Sequence, residues 1–307
     1  MSEQHKHAPL LSIVVIVYKM ADQAERTLRS LSTTVQRDVL DEDYEIIVVE
    51  NESSWVLGEQ RACASGSNVR YFLRQETQRT PVHAVNFGAS QARGSHVVIM
   101  IDGARMVTPG VVRLTIDAFR IAPEAVVCVP GYHLGEKLQQ ISVNEGYDET
   151  YEAKLLERIE WPKDGYRLFE ISVLAASCQA GFFRPNHESN FIGVSTSKWN
   201  NVGGMDARYN DFGGGMANLA LYKTLLETHN TPYYLLFGEG SFHQFHGGVS
   251  TNAPHGEREL IARQIDEQDK ALRIERTPPQ ARPILLGQLH PAAYRFMRHS
   301  LDGVFTP

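Results

Sequence analysis

The sequence predicts an α/β fold built on a mostly parallel central sheet flanked by helices. Two observations carry that prediction. Residues 10–18 (LLSIVVIVY) and 96–101 (HVVIMI) are unbroken apolar runs rich in β-branched side chains, the pattern of strands buried on both faces. A strand, a helix and a second strand (YEIIVV, 44–49) follow one another within the span of one βαβ unit.

The elements follow in order. After the first strand, Ala24, Leu28, Leu31 and Val35 recur at helical spacing. The second strand comes next, and residues 82–93 read as a helix stopped by Gly94. The strand at 96–101 ends at Asp102. Thr108-Pro109 then predicts a helix start, with Thr108 as N-cap and Val112, Ile116 and Phe119 as the buried stripe. Residues 125–130 (AVVCVP) supply one more strand. Beyond residue 131 the rhythm loosens to a short amphipathic helix (Tyr151, Leu155, Ile159) and mixed segments up to 200. A glycine-rich stretch, 203–215, leads into a helix at 216–228 and a strand at 232–237. A charged helix spans about 256–275, with Ile261, Ile265 and Leu272 on one side. One domain over 1–250 with a helical C-terminal extension over 251–307 is the expected organisation. The extension is expected to pack on the domain or on a second copy in a homo-oligomer.

Bulk properties exclude several classes. The chain has 307 residues, 42% hydrophobic and 21% charged, as an ordinary globular protein does. A net charge of −6 with no dense basic run argues against a nucleic-acid partner. Cys63, Cys128 and Cys178 form no CxxC pair, which excludes a zinc ribbon or disulfide framework and fits free thiols in a reducing compartment. The run Leu10–Tyr18 is too short to span a bilayer, so no transmembrane segment is expected. A cytoplasmic location is expected, free or peripheral to a membrane surface, with Arg282, Arg295, Arg298 and His299 as the cations such a surface would attract.

In open parallel sheets, ligands bind beyond the carboxyl ends of the strands at a topological switch point. Three strand ends here are polar: Tyr18-Lys19, Glu50-Asn51-Glu52-Ser53 and Asp102-Gly103-Ala104-Arg105. The runs LSIVVIVYKMADQAERTLRSL, YEIIVVENES and VNFGASQARGSHVVIMIDGARMVTPG, taken together, resemble the opening half of a family 2 glycosyltransferase. VGGMDARYNDFGGGMANLALYKTL is similar to the acceptor-side segment of that family. The matches cover roughly residues 10–120 and 190–230.

The resemblance implies a GT-A-type, Rossmann-like fold and transfer of a sugar from a nucleotide-diphosphate sugar, with a UDP-sugar expected, to a carbohydrate or other hydroxyl acceptor. Tyr18 then opens the loop against the nucleotide base. Glu50, with Asn51 beside it, stands where an aspartate is expected to hold the base or ribose. Asp102 matches the first acid of the DxD motif, which holds a divalent cation, magnesium or manganese, against the diphosphate.

Two departures follow. Ala104 replaces the second DxD acid, and Gly215-Met216 fall where an inverting enzyme keeps an acidic pair. GT-A enzymes often bring a late histidine to the metal, and GEGSFHQFHGG offers His243 and His246. An extended segment puts the two on opposite sides, so one of them is expected to join Asp102 in a mixed oxygen–nitrogen site suited to manganese. Arg105 lying against the diphosphate in place of a cation is the alternative. Candidate general bases are Asp211, Glu188 and Glu239, with Asp206 in the GGMD turn; a base must lie within about 3 Å of the acceptor hydroxyl, directly or through one water. Either one of these serves an inverting displacement, or the donor phosphate takes the proton in a retaining one. Gly213-Gly214-Gly215 offers backbone N–H groups to an anion, and Trp161 or Trp199 a stacking face for a sugar. The reading from another class is a nucleotide- or sugar-binding protein that kept the fold without turnover. A nucleotidyltransferase is disfavoured, because YKMADQ supplies no glycine-rich basic loop.

Overall fold

The apolar runs form strands whose alternate side chains feed two separate cores. In β1 (Leu11–Val17), Val14 and Ile16 face one cluster while Ile13, Val15 and Val17 face the other, and every residue of the strand is buried. The computed structural model describes residues 8–78, 80–210, 216–228, 230–248, 252, 255–272, 277 and 279–305.

Twelve strands are found among these residues: β1, β2 (Tyr44–Asn51), β3 (Val69–Arg74), β4 (His96–Met100), β5 (Arg105–Val107), β6 (Val126–Cys128), β7 (Gly131–Leu134), β8 (Ser172–Leu174), β9 (Ile192–Ser195), β10 (Tyr233–Phe237), β11 (Ser241–His243) and β12 (Ile284–Gly287). The helices are α1 (Ala21–Leu31), α2 (Gly58–Cys63), α3 (Val82–Ser90), α4 (Val111–Ile121), α5 (Gln139–Ser142), α6 (Glu149–Arg158), α7 (Thr196–Asn201), α8 (Ala217–Glu227), α9 (His255–Leu272) and α10 (Met297–Phe305).

Eight strands make the main sheet in the order β12-β10-β6-β9-β4-β1-β2-β3, and only β9 runs against the others. Helices α1 and α4 bury Leu28, Val112 and Ile116 on one face, while α3 and α8 bury Val85 and Tyr222 on the other. The chain winds outward through β1, β2 and β3, then returns to lay β4 on the far side of β1. The β1–β4 boundary is therefore a switch point, and Tyr18 and Asp102 lie just past its two strand ends.

A second sheet, β5-β11-β7-β8, begins three residues after Asp102. It sets Arg105, His243 and His133 in one cross-strand row. Residues at one row position share a face, so this register brings three nitrogen-bearing side chains together from distant parts of the chain.

The expected N-cap at Thr108 does not form. The Thr108 hydroxyl is taken by Glu239, whose carboxylate also accepts the Gly110 N–H, and α4 starts at Val111. A carboxylate from across the fold thus takes over the local capping role. The C-terminal segment carries α9 and α10 and also contributes β12 to the edge of the main sheet. α9 reaches the domain through Arg258 Nη1, which donates to Gln140 O at 2.7 Å. The three cysteines are free thiols. Among the described residues no helix is long and apolar enough to cross a membrane.

Candidate functional site

The turn after β4 is built for close approach. A Cβ on Gly103 would lie 2.5 Å from Ile16 O, so only glycine lets the chain pass the end of β1. Asp102 Oδ1 accepts the Ala104 N–H at 3.0 Å and its Oδ2 accepts Arg105 Nε–H at 3.2 Å. Ala104 is fully buried among apolar residues.

Two imidazole nitrogens and the carboxylate of Asp102 converge here. His243 Nε2 lies 3.2 Å from Asp102 Oδ2, His246 Nε2 lies 3.7 Å from Asp102 Oδ1, and the two Nε2 atoms are 3.1 Å apart. The expectation that only one histidine could face Asp102 fails. Strand β11 ends at His243, so the alternation that would send His246 to the other side does not extend to it. Neighbouring ligands on an octahedral ion at ordinary bond lengths are about 3 Å apart, so the two imidazole nitrogens and the His243–Asp102 pair are spaced as neighbouring ligands of such a site, with His246 and Asp102 somewhat wider.

The protons make the same point. Gln139, fully buried at the start of α5, turns its amide nitrogen to His243 O at 3.0 Å and its Oε1 to His243 Nδ1 at 2.7 Å. A carbonyl oxygen only accepts, which fixes the amide orientation and makes His243 Nδ1 the donor. Burial and then Arg105 push the His243 pKa down to about 4, so at neutral pH the ring has one proton, and that proton is on Nδ1. Its Nε2 lone pair therefore faces a carboxylate oxygen at 3.2 Å, an arrangement that a shared cation would relieve. Burial opposes ionisation of Asp102, but the two histidines and Arg105 outweigh it and hold the carboxyl well below its ordinary range.

Arg105 is buried, and the one hydrogen bond of its side chain among the described residues goes from Nε to Asp102, which leaves its outer N–H groups available to an anion. His133 Nδ1 accepts the Gln139 backbone N–H at 3.1 Å, and its ring lies 5.3 Å from that of His243. Helix α1 braces the segment between the two histidines. Gln23 Nε2 donates to Phe245 O at 2.8 Å, and Arg26 Nε donates to Gln244 Oε1 at 2.7 Å.

The nucleoside side is arranged differently from expectation. Tyr18 is 47% exposed just past β1, with Lys19 Nζ 5.2 Å from its ring centre. Glu50 is fully buried and accepts from Leu57 N, Gly58 N and Tyr71 Oη at 2.7, 3.1 and 2.6 Å. It is committed to its own loop, which corrects its expected role against the base. Asn51 points to the opposite face of β2, and its buried Oδ1 has no hydrogen-bond partner.

The candidate bases separate clearly. Glu239 is buried at the far end of β11 and accepts from Thr108 Oγ1, Gly110 N and Tyr166 Oη at 2.5, 3.1 and 2.8 Å. With Ser241 opposite Val107 and His243 opposite Arg105, it sits past the end of β11 away from Asp102. Burial raises its pKa. It is a brace, which corrects its expected place among the bases. Asp206 is occupied by Arg208 through contacts of 2.6–3.0 Å, the shortest from Nη2. Glu188 is half-buried, and one of its oxygens accepts Asn190 Nδ2 at 2.8 Å. The nearby Cys178 thiol is pushed up to about 11 by burial, with Glu188 raising it further and Arg105 lowering it. Asp211 and Gly213–Gly215 lie outside the described residues. Trp199 is core, and Trp161 lies under the Arg29 guanidinium. A cleft of ≈ 750 Å³ lined by His187, Asp206, Arg208, Met216 and Lys223 lies apart from the three converging residues.

Residues 12–189, more than half of the chain, match the profile of glycosyl transferase family 2. The chain belongs to this family. No curated protein matches the sequence. Among solved structures, residues 1–349 of S. aureus TarS align over 87% of this chain and 67% of that one, with a TM-score of 0.53 and 11% identity. The mannosyltransferase PcManGT from Pyrobaculum calidifontis, in complex with GDP-Man and Mn2+, aligns over 98% of this chain and 71% of that one, with a TM-score of 0.53 and 14% identity. The likeness to these glycosyltransferases establishes the GT-A fold, and glycosyl transfer is the chemistry of the family.

Gln139, His133 and Asn252 went unread in the sequence. Asn252 Oδ1 accepts the His246 and Gly248 N–H groups at 3.2 and 3.1 Å, and its Nδ2 donates to Gln139 Oε1 at 3.1 Å. None of the three belongs to a motif; only the fold brings them to the histidines.

Proposed function

We propose that the protein is a metal-dependent glycosyltransferase that takes its sugar from a nucleotide-diphosphate sugar, with UDP as the expected carrier. The observation that carries this reading is the convergence of Asp102, His243 and His246 at the switch point beside Arg105. Two imidazoles and one carboxylate fit a divalent ion of manganese type better than magnesium, which favours oxygen alone. Bound there, the ion would stabilise negative charge on the departing diphosphate.

The other roles fall to the chain itself. Arg105 directs its unused N–H groups at a phosphate oxygen. Tyr18 stacks on the base, and the unpartnered Asn51 Oδ1 accepts a hydrogen bond from the nucleoside in place of Glu50. Glu188 is the proposed general base, because Glu239 and Asp206 are occupied. The segments 188–190 and 206–215 make the acceptor side.

The test is release of nucleoside diphosphate from a panel of UDP- and GDP-sugars with manganese, in wild type and Glu188→Gln. The expected result is turnover with one donor, lowered about 10²- to 10⁴-fold in the variant at unchanged donor affinity. Equal turnover in the variant removes Glu188 from the role. A second reading, a nucleotide- or sugar-binding protein without turnover, is favoured by Met216 and Ala104 standing where carboxylates are expected. Donor binding without release across a broad panel of acceptors would establish it.

A further inference from the structure

We infer that Gln139 is the positioning residue that makes His243 a metal ligand, an inference that rests on the metal site proposed above. An imidazole binds a cation through a bare nitrogen, and the hydrogen bond at its other nitrogen decides which one is bare. For His243 that bond goes to Gln139 Oε1 at 2.7 Å.

The orientation of the glutamine is itself held from three sides. Its Nε2 faces His243 O at 3.0 Å and Leu134 O at 3.5 Å, both of which can only accept. Its Oε1 also receives Asn252 Nδ2–H at 3.1 Å. A flipped amide would set its N–H groups against those of Asn252 and its oxygen against two carbonyls, so one orientation stands.

The backbone of the same residue acts on the second histidine of the row. Gln139 N–H donates to His133 Nδ1, which requires His133 to hold its proton on Nε2. One residue therefore gives neighbouring imidazoles opposite tautomers. His243 presents a lone pair at Nε2, while His133 presents an N–H. Only the first can ligate a cation without losing a proton. His243 also joins Asp102 and His246 in the converging group, while His133, next to it on the sheet, does not.

The experiment separates this role from a merely structural one. Gln139→Leu removes both the acceptor and the N–H donor. Gln139→Glu keeps an acceptor at His243 Nδ1 and loses the N–H to His243 O. Manganese affinity of the full chain is measured by electron paramagnetic resonance, cobalt coordination by its visible spectrum, and folding by metal-free melting. We expect Gln139→Leu to lose about 10- to 100-fold in manganese affinity, with an altered cobalt spectrum. We expect Gln139→Glu to bind manganese about as tightly as wild type and to keep the wild-type cobalt spectrum. Equal loss in both variants would mean the glutamine only ties strands together, and overturns the inference. So does wild-type affinity in Gln139→Leu where Asp102→Asn has abolished binding. Wild-type binding in Asp102→Asn overturns the metal site, and this inference with it.

Discussion

Glu152 lies on α6 with its side chain almost wholly buried beneath the segment that carries the two histidines. Its Oε2 accepts Tyr147 Oη–H at 2.8 Å and Phe245 N–H at 2.7 Å, while its Oε1 has no hydrogen-bond partner and Arg26 comes no closer than 4.0 Å. Burial pushes its pKa up to about 7, against an ordinary 4.5, and the two hydrogen bonds and Arg26 only partly offset that. The sign follows from proton binding. Between these two values the folded chain keeps a proton that the unfolded chain has lost, so folding stability is full below pH 4.5 and falls as the pH rises to about 7. The span corresponds to about 3 kcal/mol. Glu152→Gln keeps an acceptor for both donors and cannot ionise. Urea unfolding at pH 4 and pH 8 should therefore show the variant equal to wild type at the lower pH and about 3 kcal/mol more stable at the higher. Taking the difference between the two proteins removes every other titrating group. A difference that does not change with pH would refute the reasoning.

Four further outcomes follow from the same geometry. Glu239→Ala strands three donors, at about 1–3 kcal/mol each, so unfolding measurements should show a loss of about 3 kcal/mol or more. Since Glu239 is a brace, Glu239→Gln, if folded, should still bind nucleotide like wild type; selective loss of turnover would restore it as a base. Gly103→Ala forces a Cβ against Ile16 O and should cost about 1–3 kcal/mol by thermal melting; an unchanged melting temperature would mean the turn can relax. Asp206→Asn breaks an exposed pair with Arg208 and should change stability by about 1 kcal/mol at most; a large loss of turnover with donor binding intact would return Asp206 to the candidate bases.

Strands buried on both faces were legible because their apolar runs are long. β1, β2 and β4 could be read directly from such runs, and the polar residues after them mark the strand ends where Tyr18, Asn51 and Asp102 stand. The short strands β5, β7, β8 and β11 were not legible, since three or four residues hold no periodicity. Their register is what brings Arg105, His243 and His133 into one row, and the end of β11 at His243, which lets His246 approach Asp102, was hidden with it. The roles of Glu50 and Glu239 were hidden for a different reason. A carboxylate after an apolar run reads alike whether it meets a ligand or three internal donors, and only the partners at Leu57, Gly58, Thr108 and Tyr166 distinguish the cases.

The central claim is that Asp102 and two histidines hold a divalent ion against a nucleotide diphosphate. Calorimetric titration of the full chain with UDP, with and without manganese, in wild type and Asp102→Ala, tests it most directly. Binding that requires manganese and disappears in the variant is the predicted result. UDP binding that is indifferent to both manganese and Asp102 would contradict the claim and leave Arg105 as the phosphate anchor.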